Sequence, residues 1–268
     1  MRSNTSFDGQ YIKLIRGCIH AAPEKDRRTG HHFRSIGSAT IDFSGLPLMT
    51  LRDIGIKFSI AEIVWHMNGS NSDLLERFGY TVWSKFPRRM AYGSYWRDGY
   101  NFLSGIARKL TEDPTSKGCV LDMWPKCLRS HNPCIVAVHF TVVRGALEMA
   151  VLQRSADMYL GFPHDVASFS ILWHLMAEKI GVPTRNCNWT LGSAHLYDNQ
   201  IKNAGRLVTE FNARSPGHTP NFSLQVSAKN FDDALAGKEY LVHDLYRQLQ
   251  PRYDRMKGEK LPSVEIVG

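Results

Sequence analysis

Four side chains in this sequence have the chemistry to act on a bound molecule: Cys134, Glu62, Arg154 and Asp165. Cys134 follows Asn132-Pro133 and opens the run CIVAVHFTVV. A cysteine so placed is either a small buried hydrophobe or, as a thiolate, a nucleophile. In QRSAD (153–157), Arg154 and Asp157 are spaced either for a surface ion pair or for joint service in a site. Asp165, at the end of GFPHD, either caps the apolar run that follows or reads a ligand. Glu62 lies among Ile60, Ile63, Val64 and Trp65, where burial raises a carboxyl pKa towards a range useful for proton transfer.

The elements that must position these groups are legible in outline. FSIAEIVWHM (58–67) is apolar on more than one face and stops at Asn68-Gly69, which predicts a buried helix around Glu62. Asn101 caps a second helix carrying Phe102, Leu103, Ile106 and Leu110, with Pro114 beyond its end. Residues 134–143 predict a strand, Arg144-Gly145 a turn and 146–153 a returning strand, so Cys134 sits where a strand begins. Val166 to Ile180 predicts a long core helix, stopped by Gly181 with Pro183 behind it. The expected fold class is α/β (α+β): one domain over residues 1–268, with a mixed, mainly antiparallel sheet and long buried helices.

Composition narrows the partners. Hydrophobic residues make up 43% and charged residues 22% of the 268, ordinary for a globular chain. A formal charge of +8 points to an anionic partner, either nucleic acid or a phosphorylated small molecule. The basic residues are scattered, with local pairs at Arg27-Arg28 and Arg88-Arg89 and no long basic tract, which favours the small molecule. Five cysteines, at 18, 119, 127, 134 and 187, form no C-x-x-C pair, so they read as reduced thiols with no metal site. No run approaches the ~18 apolar residues of a membrane span, and the start of the chain lacks an apolar leader, so a cytoplasmic location is expected.

Taken in order, several segments resemble the thymidylate synthase family. They are DRRTG (26–30), AEIVWHMNGSNSDLL (61–75), VW (82–83), YGSYWR (92–97), NPC (132–134), LQRSADMYLGFPHDVASFSILWHLMA (152–177) and GSAHLYDNQ (192–200). The resemblance spans roughly residues 26–200 and leaves 201–268 divergent. It implies a sheet-mediated homodimer that transfers a one-carbon unit from 5,10-methylenetetrahydrofolate to C5 of a pyrimidine nucleoside monophosphate. Cys134 is then the thiolate that adds at C6 and makes C5 nucleophilic, with Arg154 supplying positive charge to lower the thiol pKa from its usual ~8.5. By the same resemblance Arg28 and Arg154 bind phosphate with Ser155 beside them, guanidinium forks being suited to that group. Where the family reaches across its dimer with adjacent arginines, this chain has Thr115-Ser116-Lys117-Gly118, so only Lys117 keeps a charge there. Glu62 relays protons, Trp83 walls the pterin, Asp157 accepts hydrogen bonds from it, and Tyr92 shapes the site. Gln153, His195 and Tyr197 contact base and sugar, the last two pointing to one side of an extended segment. A noncatalytic nucleotide- or RNA-binding protein on the same fold is the rival reading, disfavoured by the joint presence of Cys134, Arg154 and Glu62.

One departure bears on the substrate. The family reads the uracil edge with asparagine, and this chain has Asp165. An amide offers a donor and an acceptor, matching uracil O4 and N3–H; a carboxylate only accepts. Cytosine presents its 4-amino group and, once the thiolate has added, a protonated N3, both donors to a carboxylate. Deoxycytidylate 5-hydroxymethylases resemble this pattern, and a cytidine monophosphate is expected as substrate, dCMP ahead of CMP. Other departures concern the product: Ile135 replaces a usual histidine, Phe86 a second tryptophan, and the chain ends LPSVEIVG instead of in the family's short apolar closing tail. A wetter site favours hydroxymethyl over methyl, because water instead of hydride then meets the new carbon.

Overall fold

The computed structural model describes residues 6–125, 132–214, 222–262 and 264–267. Cys127 lies outside them, as do Ser263 and Gly268 of the terminal segment. In chain order the elements are α1 (Phe7–His20), β1 (Pro23–Lys25), β2 (His32–Phe43), α2 (Ile56–Met67), α3 (Leu74–Arg77), α4 (Gly93–Trp96), α5 (Phe102–Glu112), β3 (Val120–Asp122), β4 (Ile135–Val143), β5 (Ala146–Gln153), β6 (Ala156–Asp157), α6 (Gly161–Lys179), β7 (Thr184–Tyr197), α7 (Ile201–Ala213), α8 (Ala228–Leu235) and α9 (Glu239–Met256). The strands form one sheet in the order β1-β2-β7-β5-β4-β3, with β6 also paired to β7. Pairing is antiparallel except where β5 and β6 run parallel to β7. The mixed, mainly antiparallel sheet with long buried helices is the expected fold class.

The predicted hairpin stands, with Val143 opposite Ala146 and both turn residues, Arg144 and Gly145, at positive φ. Asn101 caps α5 by accepting from Ser104 N–H. Helix α6 differs from expectation: it starts at Gly161, five residues before Val166. Asp157 Oδ1 accepts the N–H groups of Tyr159 and Leu160, both at 2.9 Å, which folds the chain from β6 into the helix. Pro163 then falls in the first turn, where no intrahelical N–H is needed. Asp165 is therefore inside the helix and not its cap.

Helix α2 packs on α6, and α6 on strands β5, β6 and β7, burying Ile60, Ile63, Val64, Phe162, Phe169 and Trp173 almost completely. Close approach at two glycines sets the site. A Cβ on Gly93 would stand 2.1 Å from His66 O, so its absence lets α4 and the adjoining Tyr92 press onto α2. A Cβ on Gly192 would stand 2.8 Å from Arg154 O, so β7 can run close beside the β5–β6 turn. No helix among the described residues is long and apolar enough to cross a membrane.

Candidate active site

Glu62 is held on α2 between two donors. Trp83 Nε1–H donates to Oε1 at 2.8 Å, and the Ser168 hydroxyl lies 2.9 Å from Oε2. That hydroxyl is also 3.0 Å from Ser59 O. A single hydroxyl proton serves one of these acceptors; when it goes to Ser59, the proton between Ser168 and Glu62 must be the carboxyl's own. The geometry thus suits a neutral Glu62, and burial pushes its pKa up to about 7 against the pull of both donors. Ser168 has no role in the motif reading, although its three-residue spacing from Asp165 puts both on one face of α6.

Arg154 grips the nucleophile's segment by its backbone. Its N–H donates to Cys134 O at 2.9 Å, Nε to Pro133 O at 2.9 Å and Nη2 to Asn132 O at 2.6 Å, so one residue engages three consecutive carbonyls. The expected activation of the thiol by this arginine does not dominate. Desolvation first, then Asp165 whenever it is ionised, pushes the Cys134 thiol up to about 11, and the opposing charges of Arg154 and Arg28 are outweighed. The guanidinium is turned onto carbonyl oxygens, which disperses its influence on sulfur.

Asp165 Oδ2 accepts from Gln153 Nε2 at 2.8 Å, and the Tyr92 hydroxyl stands 3.5 Å from Oδ1. Burial first, then the neighbouring Glu62, raises the Asp165 pKa well above the carboxylate range. His164, the residue before it, holds Nδ1 2.8 Å from Ser59 Oγ, and burial keeps its imidazole neutral, with a pKa near about 3. Motif reading gave His164 no role.

Cys134, Glu62, Trp83, Tyr92, Asp157 and Asp165 line one cavity of about 540 Å³, together with Phe58, Tyr80, Phe86 and His164. The family profile described as Thymidylate synthase matches residues 9–246. The chain belongs to the thymidylate synthase family. Its function is accordingly folate-dependent transfer of a one-carbon unit to C5 of a pyrimidine nucleotide. The match extends past both ends of the segment 26–200 read from motifs, so α7, α8 and part of α9 belong to the family fold even where their residues looked divergent.

Members of the thymidylate synthase family use methylenetetrahydrofolate, and the cavity suits it. Phe58, Tyr80, Trp83 and Phe86 give flat apolar walls for a pterin, and Asp157 lies on the same lining as an acceptor. Asp157 is not an ion-pair partner of Arg154 in this structure; its Oδ2 accepts from Gln200 Nε2 at 2.8 Å. The terminal segment corrects a further expectation. Ile266 and Val267 line the cavity, and Asn199 and Asn203 hold the approach to them by donating to Glu265 O and Pro262 O. An apolar tail does reach the site.

Other expected residues stand further back. Gln153, 1% exposed, reaches the cavity only through Asp165. His195 and Tyr197 point to one side of β7 as predicted, their rings edge-to-face with centroids 5.3 Å apart, but they are buried and outside the lining. Ser155 is half-buried next to Arg154. Arg28 is exposed on the β1–β2 connection, and its charge is felt at Cys134. Lys117 is exposed ahead of edge strand β3, outside the lining.

The state of Glu62 has a measurable consequence. A carboxyl raised from 4.5 to about 7 by folding contributes stability in full below pH 4.5, and loses it as pH rises through 7. Glu62→Gln removes the titration and keeps the bonding, since its oxygen accepts from Trp83 and its amide donates to Ser168. Urea unfolding should show the variant gaining on the unmodified protein between acid and alkaline pH by on the order of 3 kcal/mol. Parallel pH curves for the two proteins would refute this.

Proposed function

We propose that the protein hydroxymethylates C5 of a cytidine monophosphate, dCMP ahead of CMP, as a homodimer. The observation that carries the base assignment is the setting of Asp165: its Oδ2 is committed to accepting from Gln153, and its side chain lines the cavity that holds Cys134. In this reading Cys134 Sγ bonds to C6. As it does, Asp165, favoured neutral by its surroundings, gives its proton to N3 and is left as a carboxylate accepting from N3–H and the 4-amino group. Uracil N3 already carries a hydrogen and cannot take that proton, and against an ionised Asp165 its O4 would set acceptor on acceptor, a mismatch worth roughly 10⁴-fold in favourable cases. The folate, when bound, supplies the carbon at the oxidation level of formaldehyde.

Glu62, switching between acid and carboxylate near pH 7, moves protons at the base with Ser168. Once C5 has lost its own proton and the carbon its bond to the folate nitrogen, water adds to the exocyclic carbon and the returning electron pair expels Cys134 from C6. Glu62, Asp157, His164 and Asp165 on one lining give that water polar partners. Arg28 and Arg154 take the phosphate, with Ser155 at its side and Lys117 reaching a neighbouring subunit; His195 and Tyr197 hold the sugar. The placement of Ile266 and Val267 favours a second reading, C5 methylation of the same base, since an apolar tail excludes water.

The test is tritium release from C5 of dCMP, CMP and dUMP in parallel, with methylenetetrahydrofolate present and product mass recorded. Release fastest from dCMP with a gain of CH₂O is expected. Preference for dUMP would overturn the base assignment, a gain of CH₂ with dihydrofolate formed would overturn hydroxymethylation, and no release from any nucleotide would overturn catalysis.

A further inference from the structure

Behind Asp165 lies a buried chain of hydrogen bonds that begins at a residue with no part in the chemistry. Trp189, fully buried in β7, donates its indole N–H to Gln153 Oε1 at 2.9 Å. Gln153 Nε2 donates to Ser155 O at 3.2 Å and to Asp165 Oδ2 at 2.8 Å. Strand register produces the arrangement: β5 pairs with β7 in parallel, Gln153 opposite Leu191 and Val151 opposite Trp189. Trp189 and Leu191 are two apart and share a face, so the indole lies diagonal to the glutamine.

We propose that Trp189 is a positioning residue for base selection: acting through Gln153, it dictates which atoms Asp165 turns towards the pyrimidine. The proposal rests on the reading that Asp165 faces the base. An indole N–H can only donate. Gln153 is too buried to turn to solvent, so its amide oxygen must face Trp189 and its nitrogen must face the other way. Reversed, the amide would set NH₂ against the indole N–H, and its oxygen against Ser155 O and Asp165 Oδ2. Each of those mismatches leaves a buried polar group unsatisfied.

Asp165 Oδ2 therefore meets a donor that cannot change its polarity, and any proton on the carboxyl belongs on Oδ1. The indole itself is held edge-to-face by Phe162 and Phe169 of α6, at centroid distances of 5.8 and 6.0 Å, one on either side of Asp165 in the sequence. The same device would orient an asparagine at 165, oxygen towards Gln153 and nitrogen towards the base. Polarity at the base edge is thus set from the core of the sheet.

Trp189→Phe keeps the ring packing and deletes only the donor; Gln153→Met breaks the chain one residue closer to the base. The readout is the ratio of kcat/KM for dCMP to that for dUMP, with thermal unfolding in parallel. Both variants are expected to reduce the unmodified protein's preference, in whichever direction it runs, by about tenfold or more, the scale of a buried hydrogen bond whose partner is lost. A lower melting temperature with an unchanged ratio would reduce Trp189 to core packing and overturn the proposal. Should Trp189→Phe not fold, the ratio in Gln153→Met decides alone. Unmodified protein preferring dUMP would sink the cytosine reading, while loss of that preference in the variants would still support the relay.

Discussion

Cys134→Ser is expected to abolish tritium release from C5, a loss on the order of 10⁴-fold or more. Both readings of the product require sulfur to add at C6, and a hydroxyl in the same place is a far weaker nucleophile. The surroundings deepen the deficit: burial and Asp165 resist negative charge at this position even for a thiol, and Arg154 is engaged with the carbonyls of residues 132–134. Those carbonyl bonds are made to the backbone, so they survive the substitution and the segment should keep its shape. Nucleotide affinity by calorimetry should change little while turnover vanishes. Turnover within tenfold of the unmodified protein would show that Cys134 is not the nucleophile.

Asp165→Asn is expected to transfer activity from dCMP to dUMP, with the ratio of kcat/KM for the two moving by roughly 10³-fold or more. Asparagine is nearly isosteric with aspartate, and Gln153 Nε2 continues to find an oxygen at the position of Oδ2. The other terminal atom changes from an oxygen to an NH₂ group. That group opposes the 4-amino donor of cytosine and suits O4 of uracil. The variant also removes a buried ionisable group beside Glu62, so it should fold at least as stably as its parent. Measured kcat/KM for both nucleotides checks the exchange; a variant that still prefers dCMP would show that discrimination lies elsewhere.

Local signals were sufficient for the elements whose sequence determinants are local. The turn at Arg144-Gly145, the Asn101 cap and the apolar run around Glu62 all fixed their elements within a residue or two. The start of α6 was hidden because the apolar run that marks the helix begins only at Val166, whereas the side chain of Asp157, bonding two backbone N–H groups, turns the chain into the helix earlier. Six of the site residues named from motifs do share a cavity. What stayed illegible was the second layer. Ser168 meets Glu62 across a helix pair, Trp189 meets Gln153 across two strands, and Ile266 reaches the cavity from the far end of the chain. None of these is a property of spacing; each arises from the way distant segments are stacked. Arg154 is the instructive case, since its identity suggested a charge aimed at sulfur, whereas its bonds make it a clamp on the main chain.

The resting state of Cys134 has a bearing on how long such a protein lasts. Peroxide, disulfides and electrophiles attack the thiolate and hardly touch the protonated thiol. A cavity that pushes this cysteine up to about 11 keeps it in the unreactive form whenever no nucleotide is present. The same burial that holds the residue protonated until substrate arrives therefore also lowers its reactivity towards oxidants.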